Sequence, residues 1–151
     1  MYIVHSINDF DINEIYFNKS VNNTVIDNGK FTRVLYSCPL YTINSLLYTL
    51  NFTSINIENN YTKYKCFFSC EKNKDIIHKI RNIESIILEA SDINKNINFC
   101  ISEQLKSGYI KLFENTSSTK EKKIILKISG IWETETDFGL TFKFMLMEPY
   151  S

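Results

Sequence analysis

The sequence predicts a mainly β domain with one principal helix, and three observations predict it. Over Lys122–Met147 the apolar residues Ile124, Leu126 and Ile128, then Leu140, Phe142, Phe144 and Leu146, recur at every second position. That is the period of a half-buried strand, and the two runs flank a break at Thr134–Gly139, so they form one long hairpin. Over Asn73–Ala90 the period changes: Ile76, Ile77, Ile80, Ile83, Ile87 and Leu88 follow the three-to-four spacing of an amphipathic helix. Phe and Tyr number eleven and nine in 151 residues, against four Gly and two Pro, which favours packed, pleated segments over a disordered chain.

The elements follow in chain order. Met1–Asn28 has mixed patterning, with Ile12, Ile15 and Tyr16 able to form one helical turn or a short strand. Asn18–Asn28 reads as a polar loop closed by the turn dipeptide Asn28-Gly29. Phe31–Ser37 is a strand that Pro39 ends. Tyr41–Ile57 is a longer strand or two short ones, with Asn59-Asn60 as the next turn. Tyr61–Cys70 alternates, placing Tyr64, Cys66 and Phe68 in the core and Lys63, Lys65 and Phe67 on a half-exposed face. Asn73 is placed to cap the helix, and Asp75 suits the positive end of its dipole. A short helix within Phe99–Ser107 stops at Gly108, and Tyr109–Phe113 is a strand. Asn115–Lys123 is a lysine-rich loop into the hairpin, whose turn Gly139 serves through a positive φ.

Composition narrows the function. A net charge of zero and a pI near 6.7 give no global attraction to nucleic acid or an anionic membrane, so any basic character is local to one face. No apolar run approaches a membrane span, and the N-terminus lacks the basic and apolar regions of a signal peptide. The expected location is intracellular, in the cytoplasm, and not secreted. Cys38, Cys66, Cys70 and Cys100 are expected to be reduced and mostly buried. Cys66 and Cys70 have no second pair or nearby His to complete a zinc site. Glu133, Glu135 and Asp137 cluster in the hairpin loop and read as a solvated turn, since a metal would need further ligands. No phosphate loop, nucleophile elbow or zinc-protease motif is present, so no catalytic residue, metal or cofactor is assigned and the protein is read as a non-enzyme.

The order strand, strand, strand, helix, strand, strand is that of an OB-fold-like five-stranded barrel, the helix plugging one end. The alternative is an α+β sandwich with the helix across one sheet. Residues 1–151 are expected to form one such domain, with 1–28 as an N-terminal extension packed on or flanking it. The block Ile128–Phe144, I-S-G-I-W-E followed by F-G-L-T-F-K-F, resembles the terminal hairpin of OB-fold single-stranded-DNA-binding proteins of bacteriophages and large nucleocytoplasmic DNA viruses. Phe31–Leu46 is similar to their opening strands, and the two blocks cover about a quarter of the chain. The resemblance implies a viral or phage replication and recombination role, with single-stranded DNA and replication proteins as partners and room for homo-oligomers.

Single-strand binding without sequence preference needs cations for phosphates and flat rings for bases. The candidates are Arg33, Lys63, Lys65, Phe67, Lys127, Trp132 and Lys143, with Tyr36, Tyr48 and Tyr109 in reserve. The competing reading makes the lysines solvated strand faces and Trp132 a core anchor. At the level of function, the competitor is a protein-interaction or minor structural module that binds no nucleic acid.

Overall fold

The computed structural model describes residues 3–23, 25, 28–60, 63–114 and 123–147. The chain forms, in order, β1 (His5–Ser6), β2 (Ile15–Phe17), β3 (Val21–Asn23), β4 (Gly29–Cys38), β5 (Tyr41–Asn44), β6 (Leu46–Leu50), β7 (Asn56–Asn60) and β8 (Lys63–Phe67). Helix α1 (Lys74–Ala90), β9 (Asn96–Asn98), α2 (Cys100–Lys106), β10 (Tyr109–Glu114), β11 (Lys123–Glu133) and β12 (Asp137–Met147) follow. The protein is mainly β, with helices on one side.

The β11–β12 hairpin is the axis of the sheet. Its turn is Thr134–Thr136, tied by the Thr134 N–H donating to the Asp137 carbonyl at 2.8 Å. Each strand is eleven residues long, too long for a single partner on its free side. Strand β11 therefore pairs antiparallel with β6 over Ile124–Ile128 and with β4 over Gly130–Glu133. Strand β12 pairs in parallel with β9 near its start and with β10 near its end. Beyond β10 the sheet continues through β8 to β7. On the other side β6 pairs with β1.

The sheet is open among the described residues, its path ending at β1 and β7, and the five-stranded barrel expected from the element order is not formed. Strand β4 branches instead: past Arg33 it leaves β11 to pair with β2 and β5. The chain re-enters the main sheet at Ser45, whose φ of 73° makes the bend. Of the two forms expected for this stretch, the bend selects a pair of short strands, β5 and β6.

The inner face of the sheet and the apolar stripe of α1 form one core. Ile80, Ile87, Leu126, Ile128, Leu140 and Phe144 are almost wholly buried within it. Ile7 and Ile15 join from the N-terminal segment. A bulge between Ile128 and Gly130 shifts β11 by one residue, so Ile131 rather than Gly130 turns inward.

Several local expectations change. Asn73 precedes α1, but its side chain makes no cap: Oδ1 accepts from the Thr53 N–H at 2.8 Å, and Nδ2 donates to the carbonyls of Thr53 and Ser69. It ties the loop after β6 to the helix. Gly139 lies inside β12, paired with Trp132, so it serves through space rather than a turn conformation. Asn59 and Asn60 are strand residues, and Val21–Asn23 forms a strand within the expected loop. Asn115–Lys123 falls almost wholly outside the described residues.

Candidate nucleic-acid interface

Pairing registers define what the outer face carries. Inward residues of β12 are Phe138, Leu140, Phe142, Phe144 and Leu146, so Thr141, Lys143, Met145 and Met147 turn outward. Lys143 is paired with Lys127 of β11. On its other side, the register that sets Leu112 beside Phe144 places Lys111 of β10 beside Lys143. Lys111 is paired with Lys65 of β8, and Lys65 with Glu58 of β7. Lys127, Lys143, Lys111 and Lys65 therefore form one row across four adjacent strands. With strands about 4.8 Å apart, the row spans about 14 Å.

Like charges opposite one another on a sheet are destabilising. Among the described residues no acid pairs with them: the ion pairs there are Lys95–Glu133 and Lys106–Glu103, and Glu58, opposite Lys65, forms none with it.

Aromatic rings flank this row. Phe67 and Tyr109 are cross-strand partners with ring centroids 5.7 Å apart. The Lys65 ammonium lies 5.3 Å from the Tyr109 ring centroid, and that of Lys143 lies 5.6 Å from the ring of Phe113. Phe113 is 57% exposed and Phe67 37%. Lys63, two residues from Lys65, completes the basic end. On the other flank, a buried strip of Leu47, Ile125, Met145 and Met147, with Val4 packed against it, borders the lysines.

The register also places Arg33 and Trp132 on this outer face, beyond the bulge. Arg33 is opposite Gly130, and Trp132 sits between Phe31 and Gly139. Arg33 is exposed, its guanidinium 6.0 Å from the ring centroid of Phe31. Both glycines lie beneath rings: a Cβ on Gly139 would stand 2.8 Å from the Trp132 ring, and one on Gly130 would stand 2.6 Å from that of Phe31. Trp132 is half-buried, with its ring lying against Gly139. It supports the floor rather than standing free as a stacking platform.

Lys63, Lys65, Phe67, Lys127 and Lys143 thus share one tract, while Arg33 and Trp132 lie further along the same face. Lys111 and Phe113 were not singled out from the sequence. Their signal was available in Tyr109–Phe113, where Tyr109, Lys111 and Phe113 alternate with Ile110 and Leu112. Of the other aromatics, Tyr48 belongs to the inner core, where burial first and the Glu14 charge second push its hydroxyl pKa up. Tyr36 donates to the Glu14 carboxylate at 2.7 Å, which is the main reason its pKa is raised.

The remaining chemistry is elsewhere. Glu133 is buried and paired with Lys95 at 3.1 Å, so it is not part of a solvated acidic turn. Among the described residues no group of three or more His, Cys, Asp or Glu is gathered as a metal site would require. All four cysteines are free thiols, with Cys66 buried and Cys70 exposed, so burial is less general than the composition suggested. Among the described residues no helix is long and apolar enough to cross a membrane. No family model, curated protein or solved structure matches the chain.

Proposed function

We propose that the outer face of the sheet binds the phosphate backbone of a single-stranded nucleic acid, without sequence preference and without catalysis. The observation that carries this is the row Lys65, Lys111, Lys143 and Lys127, held in register on four strands with no anionic partner among the described residues. A polyanion is the ligand that relieves such a row. Exposed Phe67 and Phe113 beside it offer the flat surfaces on which unpaired bases stack, which duplex bases cannot use. A chain with zero net charge can do this because four of its lysines are gathered in one row.

DNA as the polymer, a role in viral or phage replication, an intracellular site of action and OB-like ancestry for the sheet belong to the same proposal. They rest on the resemblance of the C-terminal hairpin. The test is titration of a fluorescent oligo-dT at two salt concentrations. Binding that weakens steeply with salt is expected, as counterion release requires. Absence of binding at low salt by the folded protein overturns the proposal and leaves the protein-interaction module as the better account.

A further inference from the structure

At one end of the lysine row the face deepens into a groove of about 470 Å³ lined by Lys63, Tyr64, Lys65, Lys111, Leu112 and Phe113. Its outward residues form a square. Lys65 is opposite Lys111, and one step of two residues along the strands brings Lys63 and Phe113, so three corners are cationic and the fourth is a ring. The Lys143 ammonium, 5.6 Å from the Phe113 ring, overhangs the same corner. Among the described residues no acid lines the groove. Its volume lies within the range of small-molecule sites.

A bridging phosphodiester carries one negative charge, whereas a terminal monophosphate carries about 1.5 to 2 and presents three free oxygens. Three lysine stems around one groove suit the second better than the first. The exposed ring beside them offers a stacking surface for the attached base. We propose that this groove takes a nucleotide monophosphate, either the phosphorylated end of a strand or a free mononucleotide, with Lys63 and Lys111 on the phosphate and Phe113 against the base. The strand-end form rests on the proposed single-strand binding, while the free-nucleotide form stands apart from it.

The experiment compares one oligo-dT sequence unphosphorylated, 5′-phosphorylated and 3′-phosphorylated, with thymidine monophosphate titrated alone by calorimetry. One of the two phosphorylated ends is expected to bind roughly tenfold tighter than the unphosphorylated strand, the worth of about one charge-assisted hydrogen bond. That gain is expected to disappear in Lys63→Ala and in Phe113→Ala, so that each variant binds the phosphorylated and unphosphorylated strands equally, and both more weakly than the wild type binds the unphosphorylated strand. Saturable binding of thymidine monophosphate with the same dependence on Lys63 also supports the groove, and identifies the free nucleotide as its ligand. Equal affinity for all three oligonucleotides, together with no heat from the mononucleotide, overturns the groove and leaves backbone binding intact. If no oligonucleotide binds, backbone binding fails, and the mononucleotide titration alone decides the groove.

Discussion

At the scale of single residues, stability depends on a few buried polar side chains that are fully used. Glu84 lies on the buried face of α1, wholly excluded from solvent. Its carboxylate accepts from the Ile101 N–H at 2.8 Å, the Ser102 N–H at 3.0 Å and the Ser102 hydroxyl at 2.7 Å. It thereby caps the seven-residue helix α2 from another element, satisfying amide donors that have no partner within the helix. Glu84→Ala is expected to cost about 2–4 kcal/mol, because it leaves buried donors unpaired, and a denaturant midpoint checks this. Cys66 is completely buried, and that burial pushes its thiol from 9.0 up to about 11. In the unfolded chain it ionises near 9, so the folded protein holds a proton that the unfolded chain has lost. Its contribution is present below pH 9 and is lost as pH rises from 9 to about 11. Chemical denaturation between pH 8 and pH 10 is expected to show a shallower loss of stability in Cys66→Ala than in the wild type; the raised Tyr36 and Tyr48 hydroxyls begin to contribute as pH nears 10 in both proteins and cancel in the comparison.

At the scale of elements, packing decides what each segment does. The stripe of α1 was legible because a 3.6-residue period repeats over four turns, and the helix runs from Lys74 to Ala90 with Asn73 at its N-cap position. Ile80→Asp buries an unpartnered charge in the centre of that stripe and is expected to cost several kcal/mol, read as a large fall in melting temperature. Strand β11 kept its expected alternation only as far as the bulge. A Cβ at Gly130 would come within 2.3 Å of the Thr32 carbonyl oxygen and 2.6 Å of the Phe31 ring, so β4 and β11 approach closely only because this residue is glycine. Gly130→Ala is expected to destabilise by about 1–3 kcal/mol through overpacking, with a parallel drop in melting temperature. Gly139 is similarly confined by Asn98 and Trp132. Nothing in the local pattern distinguished these two glycines from turn residues, because their constraint comes from strands and rings distant in sequence.

At the scale of the whole molecule, charge placement sets function against stability. Lys111 and Lys143 sit between like charges on both sides of the row. Lys111→Ala is expected to weaken single-strand binding and lower the salt slope by about 0.7, the share of one phosphate contact. Its melting temperature is expected to stay level or rise slightly, since a repulsive cross-strand pair is removed. A variant that loses binding only in proportion to lost stability would show that the lysines serve the fold instead. Lys63→Ala combined with Lys65→Ala is expected to flatten the slope by about 1–1.5 on the same arithmetic.

The sequence by itself determined the period of each long element, and with it which residues of β8, β11 and β12 turn inward. Alternation is a local property, imposed by backbone pleating whatever the neighbouring strand is. It therefore also exposed Lys63, Lys65, Lys127 and Lys143 as outward residues before any partner was known. Only the tertiary structure decided that the sheet stays open, that β4 branches, and that β10 lies between β12 and β8. That last choice inserted Lys111 between Lys65 and Lys143 and turned separate lysines into one row. Strand order is set by pairing between residues far apart in the chain, and a period of two is the same for every neighbour a strand could have.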